Sequence, residues 1–433
     1  MGSPIAGYHR FTMATSTQTA TTRLERIETQ NGPRYDVGGV LLERPFRIRR
    51  LGHFGFNVVN MDAAYPFYTD LLGFRVSDVR DDGKRLTPEQ RANLGNCNGY
   101  FMRYGGDHHA FVLYNKGARD LLDTTRAMRD GVTINQITWQ VGSLAEVVNG
   151  HTWFVEQGQR MRRSGRDMPG SNWHTYLFDP DGHVNELYYG IEQIGWNGYS
   201  KPYAMHDRAF HETPPLPQMS EFEEIQQALA RGVDLLSGYR HQEQLPAAYD
   251  VDGILLPRPF KIVRIGPVSL FVEDLEAARR FYEDALGFVL SEQVTFDGQT
   301  CLFLRASTEH HSVALYPIAL REKLGLSPHT TSMAFGLQLA TYRQLREAIA
   351  FLQSHGARTV ELPPELHPGI QYAAHVLDPD GHCLQLYFAM EQLGWDARPR
   401  QTRQPAGPVA SWPEQLDDQP EAYRGEPYLG PWG

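Results

Sequence analysis

The chain is poor in cysteine, has no long apolar run and carries no basic stripe. Its three cysteines in 433 residues, Cys97, Cys301 and Cys383, lie too far apart for a metal-type spacing. Their odd number, with no signal-like apolar segment, argues against a disulfide framework and for a reducing, cytoplasmic setting. No run of about 18 apolar residues exists, so no membrane partner is expected. The 41 Lys and Arg are outnumbered by 51 Asp and Glu, a net charge of −10. The arginine-rich stretches at 44–50 and 160–166 are short and interrupted, which leaves no footprint for nucleic acid. What is plentiful is core material: 41% hydrophobic and 11% aromatic residues exclude a disordered or collagenous chain. At about 150 residues per unit, the length allows roughly two to four units.

The chain repeats itself. The segment 35–48 recurs 214 residues later as 249–262, both containing Arg-Pro-Phe, and Phe67-Tyr-Thr-Asp-Leu-Leu-Gly-Phe74 recurs at the same offset as 281–288. Asp179-Pro-Asp-Gly-His183 returns as Asp378-Pro-Asp-Gly-His382, now 199 residues on. The second copy is therefore shorter, having lost residues in loops. Two homologous domains follow, at 35–205 and 249–397. A linker at 206–248 joins them, with helical spacing of apolar residues from Glu221 to Leu236. Residues 1–34 lack periodicity and read as a mobile arm. The Pro- and Gly-rich tail, 398–433, reads as an irregular segment draped over the body or left free.

Each domain looks like two half-repeats. In the first, the strand pattern 53–59 leads to a helix with Asp62 as N-cap and Gly73 at its end. The strand pattern 135–141 leads to a helix capped by Ser143 and running to about Gln157. Both strands alternate: Phe54, Phe56 and Val58 form one apolar face, Ile137, Trp139 and Val141 the other. With helices on the apolar side, the opposite face, His53, Gly55, Asn57, Gln136, Thr138 and Gln140, would line a ligand-sized cup.

Gly52-His53-Phe54, the Phe67 to Phe74 segment and Asp179-Pro-Asp-Gly-His-Val-Asn-Glu186 together resemble the βαβββ module of the vicinal oxygen chelate superfamily. The fold implied is α+β, with four βαβββ modules arranged as two tandem domains. Within that superfamily the chain most resembles the type I extradiol ring-cleaving dioxygenases, although the scaffold also hosts isomerases, epimerases, lyases and drug-binding proteins. The resemblance implies a mononuclear metal, Fe(II) first and Mn(II) or another divalent ion next, held by two imidazoles and a carboxylate. Carried over, the ligands are His53, Gln136 and Glu186, with Gln136 standing where the family has the second His. In the second domain the matching positions are Pro267, Ala334 and Gln385, which cannot hold a metal. The ligands thus lie in the N-terminal domain, whereas most ring-cleaving relatives carry them in the C-terminal one.

The resemblance also implies an acid/base His, which falls on His109 of the His108-His109 pair, and a substrate-binding Tyr, which falls on Tyr176. The pair recurs as His310-His311, so a structural role is equally open; Tyr176 has His375 as its counterpart. A further family His is replaced by Asp167. By strand alternation His174 shares a face with Tyr176 and can supply an imidazole, and Asn172 and Trp173 stand beside it. The first functional expectation is extradiol cleavage of a catecholic or related dihydroxyaromatic compound with dioxygen, in a homo-oligomer. The alternatives are a non-oxygenase lyase, isomerase or epimerase of the same superfamily, and a non-catalytic protein that sequesters an aromatic compound.

Overall fold

The structure is a computed structural model that describes residues 24–30, 32–123, 132–394, 398–399 and 406–416. The arm up to residue 23 and the tail beyond 416 lie outside the described residues. From Arg26 onwards the arm is not irregular. Strands β1 (Arg26–Thr29), β2 (Gly32–Val37) and β3 (Val40–Leu42) form a small antiparallel sheet, turned between β2 and β3 at Gly38 and Gly39. The Leu24 amide ties this sheet back to the body by donating to Asn149 Oδ1 at 3.3 Å.

The first domain follows the expected order: β4 (Arg50–Val58), α1 (Met61–Pro66), β5 (Arg75–Asp81), α2 (Pro88–Leu94), β6 (Asn98–Arg103), β7 (Phe111–Asn115) and α3 (Lys116–Leu122). Its second half is β8 (Ile134–Gln140), α4 (Leu144–Glu156), β9 (Met161–Arg166), β10 (Trp173–Phe178) and β11 (Val184–Tyr189). Each half is a four-stranded mixed sheet in which the first strand pairs parallel with the last. The halves join through the antiparallel β4–β8 pair, giving one eight-stranded sheet of order β5-β6-β7-β4-β8-β11-β10-β9. Residues 262–387 repeat this order in a second eight-stranded sheet. The α+β class and the two repeated domains are therefore as the sequence implied.

Ser143 caps α4 as expected, accepting from the Glu146 amide at 3.2 Å. At α1 the cap is Asn60, not Asp62: its Oδ1 accepts from the Ala63 amide at 3.2 Å, while Asp62 falls inside the first turn. The linker helix α5 (Glu221–Ala230) ends six residues short of Leu236, and Leu235–Ser237 form a separate 3-10 turn. Its start is a capping box of Ser220 and Glu223.

The apolar strand faces do more than receive helices. Phe54 stacks on Phe335 of the second domain at 4.2 Å, and Phe56 stacks on His382 at 4.0 Å. One large hydrophobic cluster runs through both domains. Around it the repeated motifs grip each other reciprocally. Tyr68 donates to Asp378 Oδ2 at 2.9 Å, and its repeat partner Tyr282 donates to Asp179 Oδ2 at 3.2 Å. The Asn60 amide donates to Asp380 at 3.1 Å, as Glu273 N does to Asp181 at 2.9 Å. Arg44 and Arg258 each reach backbone carbonyls of the opposite domain. The Asp-Pro-Asp-Gly-His segments, legible in sequence only as tight turns, are thus the clasps between repeats. In the tail, Trp412 is buried with its ring edge-on to Tyr372 at 5.2 Å.

Candidate active site

Strand register assembles the site. One transverse row of paired residues crosses five strands of the first sheet: His53 on β4 opposite Thr138 on β8, then Glu186 on β11, Tyr176 on β10 and Arg163 on β9. Laterally paired residues share a face, so all five side chains rise on the cup side. Gln136 stands two residues from Thr138 on that face. The equivalent row in the second domain runs through Gly336, Gln385, His375 and Val360, a set without a carboxylate.

Glu186 is fully buried and collects four donors. His53 Nε2 lies 3.0 Å, Gln136 Nε2 3.3 Å and Thr138 Oγ1 2.7 Å from its Oε2, and Asn172 Nδ2 lies 2.7 Å from its Oε1. Burial alone would raise the pKa of this carboxyl; the His53 imidazole, with His174 and the Thr138 hydroxyl, brings it below the usual carboxylate value. The three sequence-derived ligands therefore do come together. Thr138 and the role of Asn172 were not foreseen; alternation placed Thr138 on the right face but named no partner for it.

The fit of this set to a divalent ion can be tested on its chemistry. An imidazole nitrogen and an amide that can turn its oxygen inward both lie within 3.3 Å of one carboxylate oxygen, a set that fits a single ion with one anionic ligand. Two features weaken it. His53 Nδ1 is buried without a hydrogen-bond partner, so nothing orients the ring from behind. No group of three His, Cys, Asp or Glu suited to a metal exists among the described residues. The set fits a weakly held ion.

His109 stands with its ring 4.3 Å from that of His53. His108 Nε2 lies 2.8 Å from Asp78 Oδ2, and His108 Nδ1 lies 3.0 Å from His109 Nδ1. Donation from His108 Nε2 to the Asp78 carboxyl leaves His108 Nδ1 to accept from His109 Nδ1–H, so that His109 Nε2 carries the lone pair. Burial, with the neighbouring imidazoles His53 and His108, holds His109 well below its ordinary pKa. Gly170 presses on this pair from outside. Its φ is +101°, and a Cβ there would meet His109 Cε1 at 2.9 Å. The same relay recurs as Glu292, His310 and His311 at 2.9 and 3.0 Å, so the scaffold itself maintains it.

His174 is placed differently from the expectation of a proton carrier. It lies behind Tyr176, rings 4.5 Å apart, and does not line the cavity. Its Nε2 accepts from Arg163 at 2.8 Å, so the lone pair is already engaged. Arg163 also forks onto Asp167 at 2.6 and 2.9 Å, and Tyr176 OH donates to Asp167 at 3.3 Å. Asp167, standing where the family imidazole was missing, is an anchor: burial opposes its ionisation, but His174 and Arg163 together hold its pKa far below the carboxylate range. Burial and the nearby Glu186 and Asp167 charges keep the Tyr176 phenol protonated.

Above the row opens a cavity of about 400 Å³, reached by His53, His109, Gln136, Asn172 and Tyr176, a size that suits one small ligand. The linker closes one side. Phe210 exchanges backbone hydrogen bonds with Arg166 at 2.9 and 3.1 Å, which brings Ala209 and His211 to the wall. Trp173 is buried, with its ring 5.1 Å from Phe210, and packs as core.

Comparison with known proteins agrees with this architecture. A family model for the glyoxalase/bleomycin resistance protein/dioxygenase superfamily matches residues 50–187 and 264–386. Metapyrocatechase 2 of Cupriavidus necator is 26% identical over 194 residues, 44% of this chain and 52% of that protein. The 2,2',3-trihydroxybiphenyl dioxygenase of Sphingomonas paucimobilis is 24% identical over 163 residues, 36% of this chain and 54% of the relative. The chain spans about half the length of these curated relatives. Among solved structures, homoprotocatechuate 2,3-dioxygenase of Brevibacterium fuscum, in complex with 3,4-dihydroxyphenylacetate, shares the fold. Its TM-score is 0.51 at 16% identity, covering 82% of this chain and 85% of that one. With two matched segments that together exceed half its length, the chain belongs to the glyoxalase/bleomycin resistance protein/dioxygenase superfamily.

Proposed function

We propose that the chain is an extradiol-type dioxygenase acting on a catecholic or related dihydroxyaromatic compound in its N-terminal domain. The observation that carries this is the meeting of His53 and Gln136 at the Glu186 carboxylate beneath a cavity that His109 and Tyr176 also reach. The dioxygenase names of the sequence relatives support it. His53 Nε2, a Glu186 carboxylate oxygen and the Gln136 amide oxygen would hold the ion. Once bound, Fe(II) or Mn(II) would chelate adjacent ring oxygens and pass electron density to dioxygen. His109 Nε2, its lone pair fixed by the Asp78–His108 relay, takes a proton from a ring hydroxyl. Tyr176 OH turns its long bond from Asp167 to a substrate oxygen and orients the ring. Asp167, Arg163 and His174 are positioning residues that set the Tyr176 phenol.

The test is metal analysis of protein purified without oxygen, together with dioxygen uptake on catechols. Stoichiometric iron or manganese and uptake that disappears in Glu186→Ala are expected. Gln136→His should bind the metal more tightly than the parent, because imidazole is the stronger donor. Full turnover after exhaustive chelation would sink the proposal. A second reading, a non-oxygenase member of the superfamily, is favoured by one observation: four hydrogen bonds already offset the Glu186 charge. It predicts the same product with and without dioxygen.

A further inference from the structure

The second domain has lost the ligand set but not every hollow. Its cup is filled from within: Phe271, Tyr316 and Ala334 cluster with Leu362 and Leu366 of the loop 361–372, and Tyr316 OH donates to the Leu366 carbonyl. Beside this plug, at the edge of the sheet, lies a separate cavity of about 540 Å³, a size that suits a small ligand. Its walls include the strand Ala373–Leu377 and the helix Tyr342–Ser354. At the same place the first domain is solid. There His151 of α4, Ser164 of β9 and Thr175 of β10 bond one another at 2.7 to 3.1 Å, with His174 next in the strand. The second domain has Ile349 for His151, Ala373 for His174 and Ala374 for Thr175, and its edge strand stops at Val360 while β9 runs on to Arg166. Smaller side chains and a shorter strand leave the room.

Residues 406–410 of the tail form another wall. They are fastened at both ends: the Ala406 amide donates to the Gln371 carbonyl at 2.7 Å, and the indole of buried Trp412 donates to the Gly407 carbonyl at 2.8 Å. The lining chemistry is one-sided. Ile349, Leu362, Pro363 and Val409 make much of it apolar. His367 and His375 line it too, and burial holds the first at a pKa of about 4 and the second well below its ordinary value, so both rings are neutral at pH 7. His375 Nε2 is engaged by Gln385 at 3.2 Å, whereas His367 Nδ1 is buried without a hydrogen-bond partner. Among the described residues Glu361 is the one charged member of the lining, and it is exposed. A charged ligand would give up hydration here with nothing in return. An apolar one would supply the contacts that an unfilled apolar space forfeits, and a hydroxyl suits either tautomer of His367 because it both donates and accepts.

We propose that this cavity is a second ligand site, which takes an uncharged, largely apolar molecule bearing a hydroxyl group that His367 recognises. None of its residues belongs to the His53, Gln136 and Glu186 set, so the site stands whichever reaction the first domain performs.

The test is equilibrium dialysis of 2-naphthol, naphthalene and 2-naphthoate against the full chain, with amide hydrogen exchange recorded with and without 2-naphthol. The proteins are wild type, Ala373→Phe and His367→Phe, and thermal unfolding is recorded for each. Naphthol should slow exchange in 361–375 and 406–412, and should bind about 3- to 10-fold more tightly than naphthalene, the worth of one neutral hydrogen bond. Naphthoate should bind more weakly than either. Ala373→Phe puts a ring where the other repeat already carries His174, and by filling the space it should weaken both neutral ligands at least about tenfold. His367→Phe leaves the space and should erase the preference for naphthol over naphthalene, which keeps the test sound if Ala373→Phe misfolds. Protection confined to 161–178 would place the ligand in the first domain and overturn the inference. So would unchanged binding in folded Ala373→Phe, a naphthol preference that survives His367→Phe, naphthoate bound as tightly as naphthol, or no binding of either neutral compound.

Discussion

Thr138 sits between His53 and Glu186 in the transverse row, and its hydroxyl is the short donor, at 2.7 Å, to a carboxylate that water does not reach. Thr138→Val keeps the shape and removes that donor, so it should lower stability by about 1–3 kcal/mol, read as a fall in melting temperature. In the second domain His367, whose ring lies 5.4 Å from that of His375, is pushed down by burial to a pKa of about 4. The unfolded chain binds that proton from about pH 6.5 downward, the folded one only near 4. Stability should therefore fall as pH drops through this window, by at most about 3 kcal/mol from this group; His367→Phe should flatten the slope in denaturant titrations between pH 4 and 6.5. At this scale the sequence was partly legible. His53, Gln136 and Glu186 were named by the family resemblance, and the second copy, with Pro267, Ala334 and Gln385 in their places, set them apart from the scaffold. Thr138 and the inward turn of His174 could not be read, because alternation fixes a face and leaves the hydrogen-bond partner to register.

Among the elements, α5 shows how a linker becomes part of a site. Arg166 on β9 forms a buried ion pair with Glu224 of α5, and the adjacent Phe210 pairs with the same strand residue. Burial opposes ionisation of Glu224, but Arg166 and Lys201 bring its pKa below the ordinary value. That contribution is present above about pH 4.3 and is lost as pH falls through the lowered folded value. Glu224→Gln should cost on the order of 3 kcal/mol and expose the 206–248 linker to proteases already at neutral pH. An unchanged cleavage rate would show that the pair does not hold the helix. Apolar spacing revealed this helix but overran its end. The Glu224–Arg166 pair joins residues 58 apart, which no local pattern reports. The strands at 26–37 were missed for a related reason: a small exposed sheet has no apolar face to betray it, and its residues are largely half-buried or exposed.

Across the whole molecule, the segments that recur between the copies are those that join them: Arg44 and Arg258, Tyr68 and Tyr282, and the two Asp-Pro-Asp-Gly-His turns. The parts that differ are the rows facing the cups. Similarity between repeats had marked the duplication and its boundaries; its physical meaning became visible only with the two sheets stacked, since Phe54 finds Phe335 and Phe56 finds His382 from the far end of the chain. Residues 35–205 produced alone should expose that apolar face and self-associate or precipitate, and sedimentation of the fragment would reveal it; a well-behaved monomer would contradict the shared core. Tyr68→Phe, which removes one clasp donor, should cost about 1–2 kcal/mol, measured by urea unfolding.

The reciprocal clasp has the form of a twofold dimer whose halves happen to be covalently tied. Two such lobes made as separate chains would part on dilution, and the first would lose its backing at low abundance. Tethering replaces that dependence with a fixed local concentration, so the lobe bearing His53 and Glu186 keeps its support however scarce the protein is.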